Sequence, residues 1–390
     1  MSTPAHWFQL AAAFSMTALL FATGCRRHDF PEYPANYREF AYVTNGASDT
    51  VSIFDVVHVR LDREIHVGQH PIAVAASPSV NEVYVLNQGA PLGNGSISVL
   101  SAEQNAVVAS IAVRREPASI ELDKNGSFAY VTNAGSNSVS VIDLKARQEI
   151  AVIGTGERPA AARLSPDGKA LVVANRGAGS ISIVDALTRQ VRRVIEGCPG
   201  ATDIAILPDS SKAFAACSAG HQIMAIALAR TADAANPARA DALEALLNVG
   251  QAPVQLALKP DGGELFVSNS LSDSISEVVT STDDVGGAYL MGPDPVHGLV
   301  NADNSLLYEC NYHSQEISVY AIDDGKRDGS IHVGDGPVAL AFSTAGHLLF
   351  AVDGRSGDVA VIRTSSRSLF NILSAGKEPN AIAIKAFHLT

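Results

Sequence analysis

The stretch Ala41-Tyr-Val-Thr-Asn45 returns unchanged as Ala129-Tyr-Val-Thr-Asn133. Aligned on this pentapeptide, related segments begin at Tyr42, Tyr84, Tyr130, Val172, Phe214, Phe266, Tyr308 and Phe350, spaced 42, 46, 42, 42, 52, 42 and 42 residues apart. Eight copies thus fill residues 41 to 390. Repeats of this period mark propellers or solenoids, in which each unit buries its apolar face against the next.

The unit starting at Ala129 splits into four strand candidates: Tyr130–Thr132, Val139–Asp143, Glu149–Ile153 and Ala160–Leu164. The last meets the turn Pro166-Asp167-Gly168. Alternating apolar and polar runs bounded by Gly, Pro, Asn and Asp read as strands and hairpins. The 52-residue spacing contains Asn236-Pro237 followed by ARADALEALL, which reads as a short capped helix inserted in a loop, with Pro at its first position.

Four antiparallel strands per period predict an all-β chain, a β-propeller of four-stranded blades. Eight blades follow from the count. Seven is the alternative, because Phe214-Ala-Ala-Cys217 and Phe350-Ala-Val-Asp353 are degenerate copies. The chain enters a blade at its second strand and ends after a first strand, Pro379–Ile384. The C-terminal strand is therefore expected to complete the N-terminal blade and remove two exposed sheet edges.

These residues resemble the YVTN-type β-propeller repeat proteins of bacteria and archaea. The resemblance rests on Tyr42–Asn45 and Tyr130–Asn133, on second strands such as Thr50–Asp55, Ser138–Asp143 and Ser180–Asp185, and on the G-x-x-P entries Gly68–Pro71, Gly156–Pro159, Gly250–Pro253 and Gly334–Pro337. It covers nearly all of the chain after its leader. It implies the propeller fold and a surface or envelope location.

The leader itself has no Asp, Glu, Lys or Arg in its first 24 residues, and Leu10–Ala22 is a short apolar run. That length suits a signal-peptide core better than a membrane span. The ending Ala22-Thr23-Gly24-Cys25 resembles the lipobox of bacterial lipoproteins, in which the Cys is lipidated. A signal with an incidental Cys, or an uncleaved anchor, is the other reading. The expected organisation is signal peptide 1–24, lipid-attachment Cys25 and linker to residue 39, and one propeller domain over 40–390. The protein is expected at the cell envelope or periplasmic face, touching the membrane only through its lipid.

Composition excludes some classes. The net charge of -12 and pI near 5.3 offer no basic footprint for nucleic acid. The remaining cysteines, Cys198, Cys217 and Cys310, form no C-x-x-C pair and no haem c attachment site. Cys198 and Cys217 fall at neighbouring strand ends of one blade, so an exported protein is expected to join them. Cys310 reads as a buried small hydrophobe. There is no G-x-S-x-G elbow, H-E-x-x-H or Walker loop. No metal site is expected.

Candidate site residues are sought where one copy departs from the others. Two positions past the G-x-x-P proline, the copies read Ala73, Ser119, Ala161, Asp203, Gln255, His297, Ala339 and Ala381. Asp203, Gln255 and His297 are expected to form a polar arc in the central channel, with Glu121 and Arg163 facing each other two residues further on. The loops at one end of the ring collect His70, Arg114, Arg115, Arg158, Arg176, His221, His313 and Arg355, together with the longer loop Gly89–Ser96. Such a rim suits an anionic ligand or a haem propionate. The motif asparagines, Asn45, Asn87, Asn133, Asn175, Asn269 and Asn311, are read as structural, tolerating left-handed turns and bonding local backbone.

The leading expectation is a non-enzymatic binding scaffold for an envelope protein, glycan or small ligand. No cofactor is expected from the residues. The alternative is a cofactor or redox propeller: eight-bladed propellers of similar repeat type hold non-covalent haem in periplasmic nitrite reductases, and the rim cations with His297 would serve that role. A lactonase-like hydrolase, with Asp203 and His297 as an acid–base pair, is the third reading.

Overall fold

The computed structural model describes residues 31–228 and 241–389. The signal-peptide stretch and Cys25 lie outside the described residues. Thirty-two strands form eight antiparallel sheets of four. The chain is an eight-bladed β-propeller. The degenerate fifth and eighth copies build complete sheets, which decides the blade count.

In blade three the strands run, from the channel outward, Pro117–Leu122, Phe128–Asn133, Ser138–Asp143 and Gln148–Gly154. The predicted strands are recovered, extended by a residue or two at most ends. Blade one closes the ring: the final strand Pro379–His388 pairs antiparallel with Tyr37–Asn45, bringing Tyr42 opposite Ala383. Its outer strands are Thr50–Asp55 and Arg60–His66. The first strand begins at Tyr37, and the Tyr37 ring stacks on Tyr33.

Burial explains why the pentapeptide recurs. The motif strands are buried on both faces, because each sheet is covered by a blade on either side. Tyr42, Tyr84, Phe214, Phe266, Tyr308 and Phe350 are fully buried. Between blades two and three, Tyr84, Leu86, Ile97 and Val99 pack with Ile120, Val131 and Ile142. Burying one such aromatic or aliphatic side chain is worth about 1.5–3 kcal/mol. Outer strands such as Arg60–His66 are mostly exposed.

The motif asparagines are structural, and the expected bonds to local backbone are present at Asn87, Asn133 and Asn311, whose Nδ2 groups donate to the Val85, Val131 and Glu316 carbonyls. The left-handed turn is not at the asparagines themselves. They sit in extended backbone: Asn133 has φ -119° and Asn269 φ -104°. Each is fully buried. Each Nδ2 donates across the hairpin to a serine, seven residues on at Ser52, Ser140, Ser182, Ser276 and Ser318 and eleven on at Ser98, where the loop is longer, at 2.9–3.0 Å. A left-handed residue lies four positions after Asn45, Asn133, Asn175 and Asn269, at Asp49, Asn137, Gly179 and Asp273, and likewise after Cys217 and Asp353, at His221 and Gly357. The opening glycine of G-x-x-P packs on the asparagine side chain. A Cβ at Gly68, Gly156 or Gly292 would lie 2.6–2.8 Å from Asn87, Asn175 or Asn311.

Blade five replaces this junction outright. Cys198 stands at the glycine position, Cys217 at the asparagine position and Met224 at the serine position. Cys198 and Cys217 form the expected disulfide, and both are buried. Cys310 is free and buried, also as expected.

The predicted inserted helix is corrected in part. Ala242–Asn248 is the outer strand of blade five, paired with Gln222–Ala227 from Ala227↔Ala242 to Gln222↔Asn248. Residues 236–240 of that reading lie outside the described residues. The Ala-Leu-Glu-Ala-Leu-Leu run has high helix propensity, but the open edge of the third strand supplies a hydrogen-bond ladder that outweighs it.

Candidate functional site: one arc of the central channel

Eight inner strands wall the channel, among them Pro117–Leu122, Pro159–Leu164, Ala201–Ile206, Pro253–Leu258 and Pro295–Val300 of blades three to seven. Each inner strand leaves one edge unpaired, so its N–H groups need acceptors. The polar arc supplies them. Glu121 Oε1 accepts from Leu164 N at 3.4 Å, Asp203 Oδ2 from Leu256 N at 3.1 Å, and Gln255 Oε1 from Gly298 N at 2.9 Å. Each is a bond from one blade to the next.

Arg163 occupies the centre of this arc. Its Nη2 donates to Asp203 Oδ1 at 3.3 Å, and Nη1 lies 3.9 Å from Glu121 Oε2. The expected Glu121–Arg163 contact exists, but Asp203 is the closer partner. Burial works against the guanidinium charge, yet Asp203 and Glu121 outweigh it and its pKa rises. Burial pushes the Glu121 carboxyl up, with Arg163 opposing.

His297 differs from its neighbours. Its side chain makes no hydrogen bond among the described residues. Burial holds its pKa below the usual value, with Asp203 opposing and Arg163 adding to the effect. It stands as a neutral imidazole facing the channel, able to accept or donate. The opposite side of the channel presents Ala73, Ala339 and Ala381 at the same level.

The rim residues are not brought together. Arg114 pairs with Glu149, Arg158 with Glu116, Arg355 with Asp335 and His313 with Asp294. Arg355 also lies over the Tyr312 ring. His70 has a left-handed backbone and bonds the Gly46 carbonyl through Nδ1. His221 Nδ1 accepts from Ala252 N at 3.1 Å. That is the role Asp49, Asn137 and Asp273 play toward His70, Arg158 and Asp294. Arg158 and Arg176 share a recess of about 270 Å³ with Glu116. His70 and the longer loop line another, of about 640 Å³. Arg115 is exposed, its backbone N–H donating to Ser136.

The rim residues are thus spread over separate local contacts. Four of its cations already face acids, and two of its histidines serve the turns. Asp203 and His297 share no hydrogen bond among the described residues, and both Asp203 oxygens are engaged by Arg163 and Leu256 N.

One residue escaped the sequence reading. Glu309 stands where the other copies of the motif place Val43, Val85, Val131, Val173, Ala215, Val267 and Ala351. It is fully buried, and only the Ser268 hydroxyl and the His297 backbone N–H lie near its carboxyl, neither in good hydrogen-bond geometry. Burial pushes its pKa up to about 8, with the Ser268 hydroxyl and His297 backbone N–H opposing. An acid in the middle of a motif valine strand was the available signal.

Comparison with known proteins agrees on the fold. Residues 120–196, about two blades, match the family described as "Lactonase, 7-bladed beta-propeller". No curated protein matches the chain in sequence. Among solved structures, the chain is similar to dihydro-heme d1 dehydrogenase NirN in complex with DHE, with TM-score 0.72, 16% identity, and coverage of 91% of this chain and 76% of that one. It is similar to AztD from Citrobacter koseri, with TM-score 0.64, 12% identity, and coverage of 90% and 98%. It is also similar to Kuenenia stuttgartiensis hydrazine synthase, with TM-score 0.58, 21% identity, and coverage of 77% and 98%. At these identities the likeness is one of fold.

Proposed function

We propose that this protein is an exported, non-enzymatic binding propeller that holds a small polar ligand in its central channel. The lipobox-like Cys25 would tether it to the envelope membrane. The observation that carries this reading is the asymmetry of the channel. Charged and polar groups occupy one arc, alanines the other, and His297 in the arc keeps an unused imidazole. Glu121, Asp203 and Gln255 are committed to joining blades, so His297 is the residue left to meet a ligand.

Native mass and an ultraviolet–visible spectrum of the protein isolated from a bacterial envelope test the reading. A bound small molecule that is retained by the unaltered chain and lost in His297→Ala, with thermal unfolding unchanged, supports it. Equal retention by both places the ligand elsewhere and overturns it. The tether has its own test. Cys25→Ser should move the protein from the membrane fraction to the soluble fraction, and unchanged retention would refute lipidation.

A further inference from the structure

The residue before each outer strand is left-handed in every blade, and at Arg147, Arg189, Asp241, Asp283 and Arg367 it carries a charge. All but one of these charges meet their opposite. Arg147 pairs with Glu82 at 2.9 Å, Asp241 with Arg192 at 2.6 Å, Asp283 with Lys212 at 2.7 Å, and Arg367 with Asp328. Arg189 is the exception. Its guanidinium makes no hydrogen bond or ion pair among the described residues.

The junction of blades two and three shows what an arginine at this position does. Arg147 Nη2 donates to Glu82 Oε1 at 2.9 Å, and the Tyr84 hydroxyl donates to Glu82 Oε2 at 2.8 Å. One carboxylate is held between the guanidinium of one blade and the motif tyrosine of the blade before it. At the junction of blades three and four the same positions carry Arg189 and Tyr130, but Phe128 stands where Glu82 does. The register supports the match. Arg147 and Arg189 each precede a glutamine paired with the aspartate that ends the third strand, Gln148 with Asp143 and Gln190 with Asp185. Glu82 and Phe128 each pair with the last residue of that third strand in their own blade, Ser101 and Asp143. The Tyr130 hydroxyl has no acceptor among the described residues.

Arg189, Tyr130 and Phe128 line a cleft of about 500 Å³ between these two blades, at the end of the ring opposite the His and Arg rim. Val141, Leu164 and Leu187 extend its apolar wall. Lys124 adds an exposed cation that makes no ion pair among the described residues. Two of the acids at the edge already face cations, Glu121 with Arg163 and Asp167 with Lys169. Asp123 is held by the Ser127 and Phe128 N–H groups at 2.6 and 2.7 Å, and Arg189 and Lys124 together outweigh its charge. Burial and Asp123 push the Tyr130 hydroxyl above its usual value, with Arg189 opposing, so the phenol keeps its proton and can donate.

We infer that this cleft binds a small organic carboxylate with an apolar body, Arg189 and Tyr130 taking the carboxylate as Arg147 and Tyr84 take that of Glu82. The body lies against Phe128, Val141 and Leu164. The site is distinct from the channel around His297, and the inference does not rest on the channel reading.

The test titrates the full chain with sodium benzoate, with sodium 3-phenylpropionate and with neutral benzamide at matched ionic strength, reading calorimetry and ligand-observed saturation-transfer NMR. At least one carboxylate should bind, and benzamide should bind at least tenfold more weakly. Arg189→Ala should weaken carboxylate binding at least tenfold. Phe128→Glu, which gives blade three the Glu82 arrangement, should abolish it, because the chain's own carboxylate then occupies the pair. His297→Ala should leave it unchanged. Carboxylate binding that survives in Arg189→Ala or in Phe128→Glu overturns the inference, and so does equal binding of benzamide. Binding lost in His297→Ala but kept in Arg189→Ala puts the carboxylate in the channel and overturns this site. Failure of both carboxylates to bind overturns it as well.

Discussion

Replacing Glu309 by glutamine should change how the stability of the ring depends on pH. The acid is fully buried, and its pKa is about 8 in the folded protein against 4.5 for the free group. Between those values the native state keeps a proton that the unfolded chain gives up. The folded value is raised, so for this acid stability is greatest below the unfolded pKa and falls as pH rises toward the folded one. The slope is about 1.4 kcal/mol per pH unit, or about 5 kcal/mol over the whole window. At about 2.1 cal/mol/K per residue, a ring of this size loses roughly 1.3 °C per kcal/mol, or about 6 °C in all. Glutamine has no proton to lose, so Glu309→Gln should lack this component. The groups around Glu309 are His297 and Gly298 on the inner strand, Gln255 and Ser268 on blade six, Ser318 opposite on the third strand, and the neighbouring Cys310 thiol, itself raised by burial, Glu309 and Asp353. Asp353, held near 8 by burial and by Asp358, titrates with the same sign in both proteins and cancels in their difference. Urea unfolding of the two proteins from pH 5 to 8 is the assay. Curves whose difference stays constant across that range would refute the argument.

Other substitutions separate structural from binding roles. His297→Ala should leave stability within about 0.5 kcal/mol, because its side chain makes no hydrogen bond, whereas Asp203→Ala should cost about 1–3 kcal/mol by freeing Leu256 N and Arg163; chemical denaturation distinguishes them, and equal losses would contradict the division of roles. Removing the Cys198–Cys217 disulfide with a Cys-to-Ser pair should cost about 2–4 kcal/mol, read as a lower melting temperature that no longer responds to reductant. Asn175→Ala should cost about 1–3 kcal/mol, since the buried Ser182 hydroxyl loses its donor, and a loss under 0.5 kcal/mol would contradict the hairpin role assigned to the motif asparagines.

The repeat was legible because a propeller writes its architecture at fixed intervals. Spacing and alternation alone place the inner strands, the ring closure by Pro379–His388, and the arc of Asp203, Gln255 and His297 in adjacent blades. They also place Cys198 beside Cys217. Three things were not legible, each for a physical reason. The Ala242–Asn248 strand contradicts its own local propensity, because an unpaired sheet edge decides it. The motif asparagines reveal their serine partners only when the hairpin folds residues seven apart, or eleven at Asn87, onto each other. The rim of His and Arg dissolves into separate ion pairs and turn bonds, because composition counts charges but does not say which are already neutralised. The sequence by itself determined the ring, its blade order and the positions where one blade departs from the rest. Only the tertiary structure decided which departures matter. Asp203 and Glu121 join blades, the His297 ring makes no hydrogen bond among the described residues, and Glu309 is buried against Gly298. Whether a polar group is spent or available depends on what the neighbouring blade brings within about 3 Å of it.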